Sequence, residues 1–172
     1  ELGNQGITAE TIPVVAFSVG EEELSGIDTK PLVGHLAAWN YFQSVKAPAN
    51  DAFIKDWKTF IKNPKRVTND PMEATVIGFN LWVKAVEKAG ATNPDKVGAA
   101  IIGLEVPNMT GGTAKMLPNH HLTKPVLIGE IQDDGQFEVV WKTDKEIAGD
   151  AWSDFLEGSK DIEADWTAPI NC

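Results

Sequence analysis

IPVVAFSVGEEEL, residues 12–24, is the stretch on which the fold class turns. From Ile12 to Ser18 the side chains are apolar and rich in β-branching, and Gly20 follows them. A run of that length and kind predicts a buried strand of an α/β sheet. The acidic triplet Glu21-Glu22-Glu23 falls just beyond the strand's carboxyl end. Open α/β sheets bind ligands at that end of their strands, which makes Ser18, Val19 and Glu21 candidate ligand-binding residues. Three consecutive glutamates also read as a solvated helix start or a loop, because acid–base work needs carboxylates that converge in a cleft.

Outward from this stretch, LVGHLAAWNYFQSV (residues 32–45) fits two periods. Alternation of Val33, His35, Ala37, Trp39 and Tyr41 suits a strand, whereas Leu36, Trp39, Tyr41 and Phe42 could stripe a helix; Gly34 and the aromatic content favour the strand. Phe53, Ile54, Trp57, Phe60 and Ile61 recur at helical spacing, predicting a helix over 51–62 capped by Asn50 or Asp51 and ended by Asn63-Pro64. The clearest helix runs from Asp70 to about Ala89. Asp70 suits its N-cap, Pro71 its first position, Glu73 the positive end of its dipole, and Gly90 its end. Val76, Ile77, Phe79, Leu81, Trp82, Val83 and Val86 are too many for a narrow stripe, so burial on most of its circumference is expected. A shorter helix starts at Asn93-Pro94-Asp95 and reaches about Ile102. Strands over 126–132 and 137–142 flank Asp133-Asp134-Gly135, a strong hairpin signal. From Gly149 onward the acidic, aromatic chain reads as a short helix and a surface-wrapping tail, with Trp152, Phe155 and Trp166. The order strand, strand, three helices, hairpin lacks the repeated βαβ units that would complete a sheet, so the chain reads as part of something larger.

Composition narrows the function classes. The 172 residues carry a net charge of −10, which disfavours nucleic acid and anionic membranes. No run of about 18 apolar residues predicts a membrane span. Neither an initiating Met nor a basic-then-apolar leader opens the sequence, which reads as a processed or excised product. Cys172 is the lone cysteine and sits last. Adjacent His120 and His121 would point to opposite faces of a strand, and with His35 as the one other histidine the ligand supply for a metal is poor. Gly111-Gly112-Thr113 lacks the lysine and context of a phosphate loop and reads as a turn. No nucleophile elbow or Cys/His pair is present. No catalytic residue, metal site or cofactor is therefore expected, and the chain is not expected to be an enzyme. A second ligand site suggests itself at the helix start from Asp70 to Thr75, where free backbone N–H groups suit a polar ligand; simple capping explains the same residues equally well.

Four blocks carry a resemblance: residues 12–45 (IPVVAFSVGEEEL through FQSV), NDPMEATVIGFNLWVKAVEKAG (69–90), PNMTGGTAKMLPNHHLTKPVLIGEIQDDGQFEVVWKT (107–143) and DAWSDFLEGSKDIEADW (150–166). They resemble consecutive segments of the urea ABC-transporter substrate-binding family, similar in turn to binding proteins for branched-chain amino acids and short amides. The resemblance implies an α/β chain forming part of a type I periplasmic-binding-protein fold, two Rossmann-like lobes with a hinge, incomplete here. It implies that 1–46 end the C-terminal lobe, 47–122 supply closing helices of the N-terminal lobe, and 123–172 hold hinge strands, hairpin and tail. It further implies an extracytoplasmic receptor, periplasmic or a cell-surface lipoprotein in a Gram-positive cell, delivering ligand to a permease and its ATPase. Cys172 would pair with a cysteine beyond this chain. Ser18 and Thr75 differ from the acidic and aromatic residues that amino-acid-binding relatives carry there, as suits urea, a neutral planar ligand with four N–H donors. Ser18, Glu73 and Thr75 are thus expected to line the cleft, with Met72 or Val19 over the flat face. The alternatives are a branched-chain amino-acid-binding protein and an amide-sensing regulatory module. Alone, the chain is expected not to bind urea measurably, and dimerisation or element swapping through an exposed lobe surface is open to it.

Overall fold

A computed structural model describes residues 1–153 and 155–161. Its main sheet has four strands in the order β1-β2-β5-β6. These are β1 (Val15–Ala16), β2 (Leu36–Trp39), β5 (Leu127–Ile131) and β6 (Phe137–Lys142). β1 lies parallel to β2, with Val15 opposite Leu36, while β5 is antiparallel to both β2 and β6. Between β1 and β2 runs the one-turn helix α1 (Glu21–Leu24). Of residues 32–45 only Leu36–Trp39 form a strand, so the strand reading holds for those four and not for the rest of the segment; the hairpin forms as expected, with Gly135 at φ 76° in its turn.

The strand expected over 12–18 is much reduced: two residues pair, at the sheet's edge, and Phe17 is 75% exposed. On its N-terminal side the pairing stops at Val14, which accepts from Leu36 N–H (2.9 Å) but whose own N–H donates to the imidazole Nδ1 of His35 (3.1 Å) and not to a ladder carbonyl.

α2 (Pro48–Ile61) begins three residues earlier than expected, on Ala47, which offers no side-chain cap. Asn50 caps nothing; it is buried in the first turn and donates to Gln43 O and Val45 O. α3 spans Asp70–Ala89 and closes on Gly90 at φ 62°. Its N-cap is Asn69, which accepts from Met72 N–H, and not Asp70, whose carboxylate is taken by Asn40 N–H. Burial of α3 is confined to Glu73, Ile77, Leu81 and Ala85, a row at spacing four, while Phe79 and Trp82 stack on each other in the open. The expectation of all-round burial fails because α4 (Pro94–Ile101, capped by Asn93) and β3 (Glu105–Pro107) cover one side only among the described residues. β3 pairs antiparallel with β4 (Thr113–Lys115) across the Asn108–Gly112 turn, so the turn reading of Gly111-Gly112-Thr113 holds for its two glycines.

His120 and His121 are exposed in a loop, with His120 at φ 61°, so the strand premise for them was wrong. Among the described residues no group of three or more His, Cys, Asp or Glu is placed to hold a metal, and no helix is long and apolar enough to cross a membrane. After Gly149 the described chain forms one 3-10 turn, Ser159–Asp161, in place of the expected short helix, with Trp152 and Phe155 exposed. Trp166 and Cys172 lie outside the described residues.

Apolar burial separates into two cores. One joins Leu24, Ala37, Phe42, Leu127, Ile131 and Phe137 on the main sheet. The other joins Ile77, Leu81, Val106, Ala114 and Met116 around α3. Gly129 matters to the first: a Cβ there would meet the Phe42 ring at 2.8 Å. Only a residue without a side chain lets β5 pass beneath that ring.

Candidate functional site

Where the two cores meet, polar side chains take over. Tyr41 is the second residue after β2, and its buried hydroxyl lies 2.7 Å from both Asn50 Oδ1 and Thr68 Oγ1. Gln43 binds outward in three directions. Its Oε1 accepts from Thr68 N–H (2.8 Å), its Nε2 donates to Gln136 Oε1 (2.8 Å), and its backbone N–H donates to Glu21 Oε1 (2.6 Å). Tyr41, Asn50 and Thr68 are all shut off from solvent, so each polar atom there needs a partner, and nearly all find one. Burial pushes the Tyr41 phenol well above its usual range.

Glu21 opens α1 from beneath. The loop before it is held by Gly20 N–H donating to Glu23 Oε2 (2.8 Å) and by the Trp39 indole donating to Val19 O (2.8 Å). The solvated-triplet reading is corrected for one of its members: Glu21 is 1% exposed and its Oε2 has no partner. Burial raises its carboxyl from 4.5 to about 7; the Gln43 N–H works against this, and the charges of Asp70 and Glu23 add to it. Below pH 4.5 the group is protonated folded and unfolded alike. Between 4.5 and 7 the unfolded chain releases the proton first, so stability falls as pH rises. A shift of that size corresponds to about 3 kcal/mol lost across the window. Thermal unfolding followed through this range is expected to show the loss, and Glu21→Gln to remove most of it. The residual slope would come from Asp70 and Glu73, which burial also raises, against the pull of Lys124.

Glu73 is fully buried on α3. One oxygen accepts from Lys124 Nζ and the other from Met109 N–H at 3.2 Å. Lys124 also lies 3.8 Å from Asp70 Oδ1, which accepts from Asn40 N–H at 3.1 Å. Thr75 Oγ1 is exposed and donates back to Pro71 O (2.7 Å). Met72 is half-buried, Ser18 exposed and Val19 half-buried against the sheet core. Of the six candidates, Glu21 and Glu73 belong to the seam itself: Glu21 accepts from Gln43 N–H, and Glu73 shares Lys124 with Asp70. Ser18, Val19, Met72 and Thr75 stand on the two short segments that the seam joins: Gly20, ahead of α1, would carry a Cβ within 3.8 Å of Asn69 Cβ, the cap of α3.

Sequence reasoning missed Lys124, Tyr41, Asn50 and Thr68. Nothing in spacing marks them, though Lys124, a charge directly ahead of the apolar run Pro125 to Ile128, is a visible irregularity. A separate open groove of about 780 Å³ runs between the hairpin and α2, lined by Lys46, Lys58, Phe137 and Lys142 among others and by none of the six candidates.

The pattern of the family described as "Periplasmic binding protein domain" matches residues 1–158. The chain is similar to a solute-binding protein of an ABC transporter from Rhodopseudomonas palustris in complex with p-hydroxybenzoic acid, at 23% identity and a TM-score of 0.72, covering 85% of this chain and 41% of that one. It is also similar to an amino acid ABC transporter substrate-binding protein from Pseudomonas fluorescens, at 22% identity and a TM-score of 0.67, covering 89% and 40%. A curated relative, limonene hydroxylase from Geobacillus stearothermophilus, is 29% identical over 119 residues, which are 69% of this chain and 22% of that protein. The chain thus spans 22% of that relative and about two fifths of the solved structures it matches. At identities of 22–23% the likeness to solved structures speaks for the fold.

Proposed function

The chain belongs to the periplasmic binding protein domain family, and from that premise we propose that it is part of a solute receptor of an ABC importer that binds urea or a short neutral amide between two lobes. The family is extracytoplasmic, and such receptors hand a small ligand to permease and ATPase subunits. In this reading residues 1–46 end one lobe, 47–122 supply the closing helices of the other, and 123–172 return through the hinge. The observation that carries it is the division into two apolar cores joined by a polar seam. The likeness to limonene hydroxylase, confined to 22% of that protein, adds no hydroxylase reading.

The preference for a neutral ligand comes from where the charges already are. An amino-acid ligand needs a free carboxylate for its ammonium group. Glu73 and Asp70 are committed to Lys124 and to backbone N–H groups, and burial favours the uncharged form of Glu21. What stands open is Ser18 and Thr75, hydroxyls that accept from amide N–H groups, with Val19 and Met72 as apolar cover. Glu21 and Glu73 then act from behind, holding the loop and the helix that present them.

Calorimetry with the intact protein, of the length of its solved relatives, tests this. Urea is expected to bind. Ser18→Ala and Thr75→Ala are each expected to weaken it roughly 3- to 10-fold, the range of one net hydrogen bond. Leucine or p-hydroxybenzoate binding in the absence of any urea heat would replace the amide reading with a carboxylate-ligand one.

A further inference from the structure

The seam also ties together the chain's two passages between the cores. Asn40, just after β2, and Lys124-Pro125, just before β5, lie side by side, and Asn40 and Lys124 both reach the first turn of α3. Asn40 N–H donates to Asp70 Oδ1 (3.1 Å), and Asn40 Nδ2 donates to Pro125 O (2.6 Å). The Lys124 ammonium faces Asp70 and Glu73 together, from a side chain 10% exposed. Its backbone is fixed as well, exchanging hydrogen bonds with Ile147 (3.1 and 2.8 Å). One ammonium therefore reaches two carboxylates three residues apart on one helical turn, and it does so from the segment that leads into β5.

Taking three charges out of water is costly, and apolar residues of similar volume often hold a fold as well or better. What a buried ion group supplies in addition is direction, because few relative orientations satisfy all of its partners. We propose that Lys124 is a positioning residue. It sets the orientation of the first turn of α3, and with it Met72 and Thr75, against the α1 loop that carries Ser18 and Val19. The proposal deepens the receptor reading and rests on it for its ligand arm, so one arm of the test uses no ligand.

In the intact protein, spin labels placed through Glu87→Cys on α3 and Glu138→Cys on β6, with Cys172 and any further cysteine replaced by serine, report the distance between the two cores. A narrow distribution is expected with Lys124 present and a broader one in Lys124→Met. Should Lys124→Met not fold, Lys124→Met/Glu73→Gln carries the comparison, since that pair leaves no charge on either partner. A folded variant of either kind with unchanged width overturns the proposal. In the ligand arm, urea affinity of the double variant is expected to fall about tenfold, as a smaller fraction of molecules holds the competent orientation. Unchanged affinity beside a broadened distribution also overturns it. If the parent protein binds no urea, the reading of the ligand is wrong, and the label distances still decide whether Lys124 positions α3.

Discussion

Glu73→Leu is expected to destabilise the folded chain by about 3–5 kcal/mol, the range found when one partner of a buried ion pair is removed. The loss has two sources. Lys124 would remain buried with Asp70 as its one remaining carboxylate, at 3.8 Å, and Met109 N–H would lose its acceptor. Restoring neutrality should recover much of it: Lys124→Met/Glu73→Leu is expected within about 1–2 kcal/mol of the parent, because a well-packed apolar pair often replaces a buried ion pair at little cost. Guanidinium chloride denaturation measures both, and avoids a denaturant that is also the proposed ligand. A single variant no less stable than the double one would mean that water reaches Lys124 and that the seam is open.

Phe42→Ala is expected to cost about 3–5 kcal/mol through the cavity it leaves. The Phe42 ring lies 4.6 Å, centroid to centroid, from that of Phe137, at the middle of the sheet core. Beneath it Gly129 leaves no room, since a Cβ there would stand 2.8 Å from two ring atoms and 3.0 Å from Phe137 Cβ. The sign of a second substitution should therefore depend on the first. Gly129→Ala alone is expected to destabilise by about 1–3 kcal/mol through overpacking. Within Phe42→Ala the same methyl partly fills the void, and the double variant should be more stable than the sum of the single changes. A double-mutant cycle on denaturation free energies reads that coupling directly; additive effects would place the ring elsewhere.

What could be read from the residues and what could not follows a physical line. α3 was legible in its extent, Asp70 to Ala89, because a proline near its start, acidic residues in its first turn and a glycine after its end are local signals. The hairpin was legible for the same reason, through Asp134-Gly135 between apolar runs. Misreadings arose where a side chain's partner lies far along the chain. Asp70 has the chemistry of a cap, yet Asn40, thirty residues earlier, claims its carboxylate, and the cap passes to Asn69. Glu21 belongs to a triplet that suggests solvent, and it is buried by residues near Gln43, twenty-two positions away. α3 has apolar residues enough for all-round burial, but how much is covered depends on what surrounds it, and the described chain covers one side. The site divides in the same way. Ser18, Val19, Met72 and Thr75 could be chosen as residue types next to element ends, whereas Lys124, Tyr41, Asn50 and Thr68 are recognisable only once their partners are in place.

The boundary between the two cores has a mechanical consequence. Two greasy surfaces can slide past one another with little penalty, because dispersion and the hydrophobic effect have no preferred direction. The joint between Tyr41, Gln43, Asn50, Thr68, Asp70 and Lys124 is built of directional bonds among buried and half-buried groups. Any rotation that breaks one bond must supply another or leave a polar atom stranded. Such a joint behaves as a detent: it resists small displacements stiffly and yields in steps, each resting point having its own complete set of partners.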